Sequence, residues 1–504
     1  MKPLSLLLLL GAALVAAEVS VTTSRYSNLE DGANLRETTL NVHNVNSASF
    51  GKLFAYSVDG SVYAQPLYLP NVAISGSGNH NVVYLATMND RVYAFDADAA
   101  GAPLWMRDFT DPAAGIMSVP IVDITHNNNL NVVGNVGIMG TPVIDASAHL
   151  IYLVARTKEN GAYVQRLHAL DTRDGKDRAA AVTISATVNG SVSFNPMTNN
   201  QRPALTLVRG AVLIAWASHE DIDPYHGWIM AYDAKTLQQR AVFCTTPNGK
   251  EGGVWQSGRG AAVDSKGNIY YEIGNGDWNG KTDFGESLVK LQLKRDKFKI
   301  AGFYTPADYQ ELNKRDADFG SSGPLFIPGT SIIICGDKHG ALTLLNSKDL
   351  GKALQTLPVR GGRVLGGPVL WQQNLYIWGE ADVLKAFRFN GHTIEEAAFA
   401  KASARAHGSP GGALTLSADG NRPGTGIIWG MLTTSKSADH GNAAGSLHAF
   451  DAETLTELWN TEQNAERDRL GTLVKIVPPT VVNGKVYAPS YDNQVIVYGR
   501  LAAH

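Results

Sequence analysis

Cysteine is scarce in this sequence, with Cys244 and Cys335 the two that occur among 504 residues. Two cysteines cannot supply the dense disulfide framework that stabilises small secreted domains. They also exclude a Cys-x-x-Cys-His haem-attachment motif and a cysteine-rich metal site. Because the two cysteines belong to non-neighbouring units of the repeat described below, we expect two buried thiols and no disulfide.

The sequence has no excess of positive charge. Lys and Arg number 43 and Asp and Glu number 46, which gives a net charge of −3. A protein that binds nucleic acid needs a basic surface to neutralise phosphates. We therefore expect no nucleic-acid partner.

Long apolar runs are absent beyond the start of the chain. No later stretch approaches the ~20 apolar residues that a transmembrane helix needs. At the start, Lys2 precedes the apolar residues 6–10, and a small-residue stretch ends at Ala17. This order is typical of a secretory signal peptide. We expect residues 1–17 to be removed and residues 18–504 to be a secreted, extracytoplasmic monomer of one domain, with no transmembrane segment.

The chain does contain a repeat of short strand patterns. Apolar residues alternate with period two in segments bounded by Gly, Pro, Asn and Asp, as in antiparallel strands. Eight such segments share one pattern, at residues 92–96, 167–171, 229–233, 288–292, 342–346, 384–388, 447–451 and 495–499. Eight entry segments precede them in register, starting at Pro66, Pro142, Pro203, Gly260, Pro324, Pro368, Gly412 and Pro479. A four-stranded unit at this period predicts an all-β, eight-bladed β-propeller. Seven blades is the alternative, if the segments between Leu342 and Arg388 form a single blade.

The last unit ends with too few residues for a fourth strand. An unpaired strand edge would leave backbone groups unsatisfied. Residues 38–42 and 53–57 precede the first unit, and each can form a strand. We therefore expect an N-terminal strand to complete the last blade, so that the two termini close the ring together.

The last-but-one unit resembles the tryptophan docking repeat of the pyrroloquinoline quinone (PQQ) β-propellers. Ala449, Asp451, Thr454 and Trp459 match that repeat, with Leu455 in place of the usual Gly. The first unit matches with one extra residue, through Ala94, Asp96, Gly101 and Trp105. The family contains quinone-dependent dehydrogenases and non-catalytic binding propellers, so the resemblance implies the fold and leaves two functional classes open.

Dehydrogenases of this family typically carry vicinal cysteines, a calcium ion and a tryptophan that stacks on the quinone. This sequence has no Cys-Cys pair, and Trp255 and Trp278 are its candidate stacking residues. We therefore favour a secreted binding or interaction protein for a polysaccharide, peptide or protein. The alternative is an alcohol or sugar dehydrogenase with PQQ and calcium as cofactors, the calcium held near Asn275, Asp277 and Asp283.

Candidate site residues cluster in loops on one face of the predicted propeller. Second-to-third strand connections and the connections entering each blade open on that face, where function is usually found. Arginine donates hydrogen bonds to carboxylate oxygens, and aromatic rings stack on flat ligand groups. We therefore expect an anionic or polyhydroxylated small molecule as the ligand. The predicted ligand-binding residues are Arg202, His219, Asp221, Tyr225, His226, Trp255 and Arg259.

Two other interpretations of these loops stay open. Loop His and Asp side chains often cap turns, which is the main alternative for His219, Asp221 and His226. Zinc is the minor one, because the spacing of these residues follows no zinc motif, and we assign no metal ligands. If the imidazoles face the arginines, their pKa values should fall, because like charges disfavour protonation. Lys338 is predicted to be a turn residue that points to solvent.

Overall fold

Eight antiparallel sheets form a ring of blades. The computed structural model describes residues 19–125, 131–359 and 361–502, and residues 1–17 with the predicted cleavage site lie outside these ranges. The predicted eight-bladed, all-β propeller is confirmed. Seven blades is wrong, because the segments at Leu342 and Leu384 belong to two separate four-stranded sheets.

Each blade runs from an inner strand near the axis to an outer strand at the rim. Blade 1 comprises Leu67–Ile74, Gly78–Ala86, Arg91–Asp96 and Trp105–Asp108, and blade 2 comprises Val143–Asp145, Leu150–Glu159, Ala162–Asp171 and Val182–Thr183, with Ile116–Ser118 added. Blade 3 comprises Thr206–Val208, Ala211–Ser218, Trp228–Asp233 and Gln239–Cys244, with Asn199–Asn200 added, and blade 4 comprises Ala262–Val263, Ile269–Ile273, Ser287–Lys294 and Lys297–Tyr304.

The second half of the ring repeats this order. Blade 5 comprises Leu325–Phe326, Ile332–Gly336, Ala341–Asn346 and Asp349–Pro358, and blade 6 comprises Val369–Trp371, Asn374–Ile377, Val383–Arg388 and Ala400–Arg405. Blade 7 comprises Ala413–Ser417, Ile427–Thr433, Ala444–Asp451 and Glu457–Asn460, with Ala33–Asn34 and Gly471–Thr472 added, and blade 8 comprises Thr480–Val482, Lys485–Ser490, Gln494–Arg500 and Phe50–Ser57.

Helices are short and lie in the connections. In the part of the chain that the structure describes, two are α-helical, at Tyr309–Lys314 and Ala465–Asp468. Four more in that part are single 3-10 turns, at Ser24–Tyr26, Pro112–Ala114, Ile121–Asp123 and Gln256–Gly258. A small hairpin, Thr187–Val188 with Val192–Ser193, stands outside the blades. No helix in the described ranges is long and apolar enough to cross a membrane.

Tyrosine hydroxyls tie four pairs of neighbouring blades together. Each comes from the second strand of one blade and donates to the backbone carbonyl that follows the third-strand Asp of the next blade. The bonds run from Tyr84 to Thr172 (2.9 Å), Tyr152 to Ala234 (2.8 Å), Tyr376 to Ala452 (2.8 Å) and Tyr487 to Ala97 (3.2 Å). The repeated Asp keeps that carbonyl in place, since its side chain accepts from a backbone N–H two residues on, as Asp171 does from Arg173 at 2.8 Å.

The predicted closure by both termini is confirmed. Phe50–Ser57 pairs antiparallel with Gln494–Arg500 and is the outer strand of blade 8. Residues 38–42, also expected as a strand, form turns instead. The Glu37 carboxylate accepts from the backbone N–H of Thr39 (2.7 Å) and of Leu40 (3.1 Å), which takes those donors away from a sheet.

The segment Val21–Asn34, which we call the strap, crosses the base of the ring and bonds to all eight blades. Its contacts are to the inner strand of each blade or to the residue before it. They are made with Tyr68, Ile144, Leu207, Val263, Phe326, Pro368, Leu416 and Val481 in blade order. The strap therefore closes the base of the axial channel, and the loop face is left as its open end.

Cys244 and Cys335 are both buried and unbridged, as expected.

Candidate functional site

A cavity of 340 Å³ lies at the loop face, where the connections of blades 2 to 8 converge on the axis. We call it the upper cavity. Five of the seven predicted residues line it, namely Arg202, His219, Asp221, Tyr225 and Trp255. Its other charged or imidazole-bearing lining residues are Glu220, Asp316, Asp318, Lys338, Arg363, Asp439, His440 and Lys475.

Close packing of glycines fastens the loops that carry these side chains. A Cβ on Gly227 would stand 1.9 Å from the carbonyl oxygen of Gly252, so only glycine fits there. The same approach lets the Glu251 N–H donate to the Tyr225 carbonyl at 2.8 Å and the Gly252 N–H donate to the Asn275 carbonyl at 2.6 Å. These bonds join the loop of blade 3 to the loop of blade 4 and set Tyr225 and Asn275 beside one another.

Arg202 enters the cavity without a carboxylate partner among the described residues. Its guanidinium lies 5.5 Å from the centre of the Tyr63 ring, and Nη1 is 4.0 Å from Sδ of Met139. Burial lowers its pKa, and Tyr63 is the other group that affects it. Since arginine keeps its proton at any ordinary pH, the Arg202 guanidinium is a positive charge without an ion-pair partner at this point of the cavity wall.

His219 is buried against Arg156. Nη1 of Arg156 lies 2.6 Å from Nε2 of His219, and guanidinium is a donor without acceptor capacity, so Nε2 accepts and the hydrogen resides on Nδ1. Burial, then Arg156 and then Arg202, hold the pKa of His219 well below its ordinary value. The direction matches the prediction, although burial contributes more than the like charges.

Asp221 and Tyr225 form a pair on the cavity wall. The Tyr225 hydroxyl donates to Oδ1 of Asp221 at 3.0 Å. Asp221 is exposed to the cavity, but the surrounding protein excludes most bulk water. This desolvation, reinforced by the charge of Asp318, raises the pKa of Asp221 to about 6.

Trp255, Asp318 and Lys338 form a second group. Nε1 of Trp255 donates to Oδ2 of Asp318 at 3.1 Å, and Nζ of Lys338 lies 2.7 Å from the same oxygen and 5.4 Å from the Trp255 ring centre. Lys338 also pairs with Asp316 at 2.8 Å. The prediction that Lys338 points to solvent is therefore wrong. Burial works against its charge, but Asp318 and Asp316 outweigh burial and raise its pKa.

Two predicted site residues lie outside the upper cavity. Nδ1 of His226 is 2.9 Å from the Thr246 carbonyl oxygen, which ties the ring to the loop behind the wall. Arg259 lines a smaller cavity of 20 Å³ beneath, which we call the lower cavity. Arg202 and Ile476 line both cavities, so the two are stacked along the axis. The prediction that all of these side chains converge on one small molecule fails for His226 and Arg259.

Blades 6 to 8 add cavity residues that the predicted site did not contain. Arg363 pairs with Glu380 at 2.6 Å and with Asp439 at 2.7 Å, and Nζ of Lys475 donates to the Asp439 carbonyl at 3.1 Å. Burial and the neighbouring Arg202 lower the pKa of Lys475 to about 8. All lie in loops of the same face, so applying the loop argument to every blade would have found them.

Two amide oxygens at the cavity are unsatisfied. Oδ1 of Asn200 and Oδ1 of Asn275 are buried and accept no hydrogen bond from the described part of the chain. Both residues line the upper cavity. Their orphaned acceptors need hydroxyl or N–H donors, which a bound ligand or water can supply.

The donor set does not fit calcium beside a quinone. Calcium needs several carboxylate and amide oxygens free to coordinate it. Nζ of Lys338 already lies between Asp316 and Asp318, where a cation would bind, and Oδ1 of Asp283 accepts from the Asn248 N–H at 2.9 Å. Across the described ranges, no group of three or more His, Cys, Asp or Glu side chains is placed to hold a metal. Trp278, one candidate for quinone stacking, packs on Tyr309 with ring centres 4.9 Å apart.

Comparison with solved structures identifies the fold. No family model and no curated protein sequence matches this chain. The chain is similar to a quinohemoprotein alcohol dehydrogenase from Pseudomonas putida HK5, with TM-score 0.57, 15% identity, and coverage of 95% of this chain and 80% of that one.

Two further structures share this likeness. A europium-containing methanol dehydrogenase matches with TM-score 0.58 and 12% identity over 95% of this chain and 98% of the other. BamB from Moraxella catarrhalis matches with TM-score 0.52 and 12% identity over 90% and 99%. The resemblance to the PQQ propellers is confirmed at the level of fold, which dehydrogenases and BamB share.

Proposed function

We propose that this protein is a non-catalytic binding propeller whose upper cavity holds a small sugar acid, either free or as the end group of an acidic polysaccharide. The observation that carries the proposal is Arg202, a guanidinium that enters the cavity without a carboxylate partner among the described residues. A ligand carboxylate would supply the missing charge through a charge-assisted hydrogen bond.

The rest of the wall suits a polyhydroxylated molecule. The orphaned amide oxygens of Asn200 and Asn275 accept from hydroxyl groups, and the Asp221 carboxyl adds another acceptor. Trp255 presents an aromatic side chain, which favours the apolar face of a sugar ring. The volume of 340 Å³ is within the range of about 300–1,000 Å³ that small-molecule sites occupy.

Calorimetric titration with glucuronate, galacturonate and glucose tests this function. We expect the two acids to bind more tightly than glucose. Arg202→Gln should weaken acid binding roughly ten-fold or more, as expected for loss of a charge-assisted hydrogen bond of about 1.5–3 kcal/mol. His226→Gln is the matched control, because His226 belongs to the same loop as His219 but does not line the cavity, and it should bind as the wild type does.

Two results would contradict the proposal. One is the absence of binding by either acid, and the other is unchanged acid affinity in Arg202→Gln. A parallel assay adds PQQ and calcium and follows dye reduction with alcohols and sugars. Turnover there would establish the dehydrogenase alternative.

We also propose that the protein acts outside the cytoplasm. The support is the signal-peptide pattern of residues 1–17, together with a strap that begins only at Val21, so that cleavage after Ala17 leaves the strap whole. Mass spectrometry of exported protein should find Glu18 as the first residue. An exported chain that retains Met1 would overturn this proposal.

A further inference from the structure

The lower cavity is a small space whose lining includes three arginines. Its lining includes the guanidinium-bearing Arg25 from the strap, Arg259 from the entry to blade 4 and Arg202 from the entry to blade 3. Arg25 and Arg259 are 2% and 3% exposed. Among the described residues that line this cavity, none carries a carboxylate.

We propose that the lower cavity is a halide site, which holds one chloride ion in physiological media. Arg25 and Arg259 repel one another, and burying the unpaired charge of Arg202 at the same space is costly. A monatomic anion between the arginines would offset that repulsion. It has no N–H or O–H group, so it needs no hydrogen-bond acceptor from the cavity wall.

The donors for such an ion are fixed in place and partly unused. Nη2 of Arg25 donates to the Pro368 carbonyl at 2.8 Å, and Nη2 of Arg259 donates to the same carbonyl at 3.1 Å. These bonds orient both guanidinium planes. Nε of Arg25 is buried and has no hydrogen-bond partner among the described residues. Arg202, held by a thioether and an aromatic ring, also keeps donors free.

The nearest carboxyl groups do not neutralise this cluster fully. Glu30 and Asp31 act on Arg25 and Arg259 from the strap, and Glu272 of blade 4 acts on Arg259, but none of the three lines the cavity. Burial raises the pKa values of all three carboxyl groups, which weakens their ability to balance the arginines. None of them acts on Arg202, whose charge is left without a counterion.

The size of the cavity limits its occupant to a monatomic ion or one water. A space of 20 Å³ is close to the roughly 10–15 Å³ that one water needs. A sugar acid cannot enter it, so the two stacked cavities hold different ligands and share Arg202 as a common wall. The halide site therefore does not require a ligand in the upper cavity, although both occupants would contact Arg202.

Crystals of the full chain soaked in sodium bromide give the direct test. We expect one anomalous peak among Arg25, Arg202 and Arg259 in the wild type, and its loss in Arg202→Gln. Lys475→Gln is the matched control, since Lys475 lines the upper cavity alone. That variant should keep the peak.

A solution measurement accompanies the crystals. Thermal unfolding is followed at constant ionic strength while isethionate, which is too large for the cavity, is exchanged for chloride. We expect a saturable rise in Tm in the wild type and in Lys475→Gln, and a rise at least five-fold less sensitive to chloride in Arg202→Gln. Absence of the bromide peak in wild-type crystals, or identical melting in chloride and isethionate, would overturn the proposal.

Discussion

Nη1 of Arg156 lies 2.6 Å from Nε2 of His219, and both side chains are buried, His219 at the wall of the upper cavity. This bond keeps the imidazole neutral, because a protonated ring would bring two cations together in a desolvated place. His219 therefore keeps its N–H at Nδ1 and adds no further positive charge beside Arg202.

A first prediction concerns the pH dependence of stability. The folded protein holds the pKa of His219 well below its ordinary value, whereas the unfolded chain titrates near about 6.5. Below that pH the unfolded state therefore binds a proton that the folded state does not, and stability falls as the pH drops, by up to about 1.4 kcal/mol per pH unit. Urea unfolding between pH 7 and pH 5 should show a smaller loss for His219→Gln than for the wild type. Parallel curves for the two proteins would contradict this.

A second prediction concerns ligand affinity and rests on the proposed function. The pKa of Asp221 is about 6, so its carboxyl is neutral below that pH and anionic above it. A sugar acid should therefore bind more weakly as the pH rises from 5 to 7, by about three-fold or more. Titration calorimetry of Asp221→Asn should show this pH dependence abolished. An equal slope in both proteins would assign the effect to another group.

A third prediction concerns the tyrosine ties between blades. The hydroxyl of Tyr152 donates to the Ala234 carbonyl at 2.8 Å, and its loss in Tyr152→Phe should lower the free energy of unfolding by about 1 kcal/mol. Tyr271→Phe is the matched control, because the Tyr271 hydroxyl is buried without a partner among the described residues and its removal should cost nothing. Urea unfolding of both variants measures the difference, and equal losses would refute the assignment.

A fourth prediction concerns the strap. Arg25 donates to the carbonyls of Leu414 and Pro368, which belong to blades 7 and 6. Arg25→Met should lower the free energy of unfolding by about 2 kcal/mol, because the Leu414 carbonyl loses that buried donor. Arg36→Met removes an exposed arginine just after the strap and should change stability by less than about 0.5 kcal/mol. A loss of the same size in both variants would argue against a structural role for Arg25.

The fold could be predicted because each blade carries its own local pattern. Strand alternation and the recurring Asp turn each depend on residues that are close in sequence, so the number of blades and their order follow from the sequence. The strap could not be predicted in the same way. Its partners in the blades are backbone atoms up to 455 residues away, as between Tyr26 and Val481, and backbone partners leave no pattern in the side chains.

The sequence predicted which loops form the site, but not which side chains of those loops enter the cavity. His219 and His226 lie in one loop, yet His219 faces the cavity and His226 bonds behind it. Glu220 and Asp221 adopt left-handed backbone angles, with φ of 49° and 48°, which turn the chain between the two histidines. Such angles are uncommon for these residue types and cannot be deduced from composition. Lys338 is likewise held in the cavity wall by ion pairs with Asp316 and Asp318, which precede it by about twenty residues.

The outer strand of blade 8 has a consequence for how the protein is made. Phe50–Ser57 leaves the ribosome about 440 residues before Gln494–Arg500, the strand with which it pairs. At roughly 5–20 residues per second, the first-made strand waits tens of seconds for its partner while its backbone edge is open. Blades 1 to 7 can assemble during that interval, but the strap cannot reach all of its partners until the last blade has been synthesised. A nascent chain that stalls before residue 494 therefore exposes an unpaired strand near each end, which makes it a substrate for chaperones or a seed for aggregation.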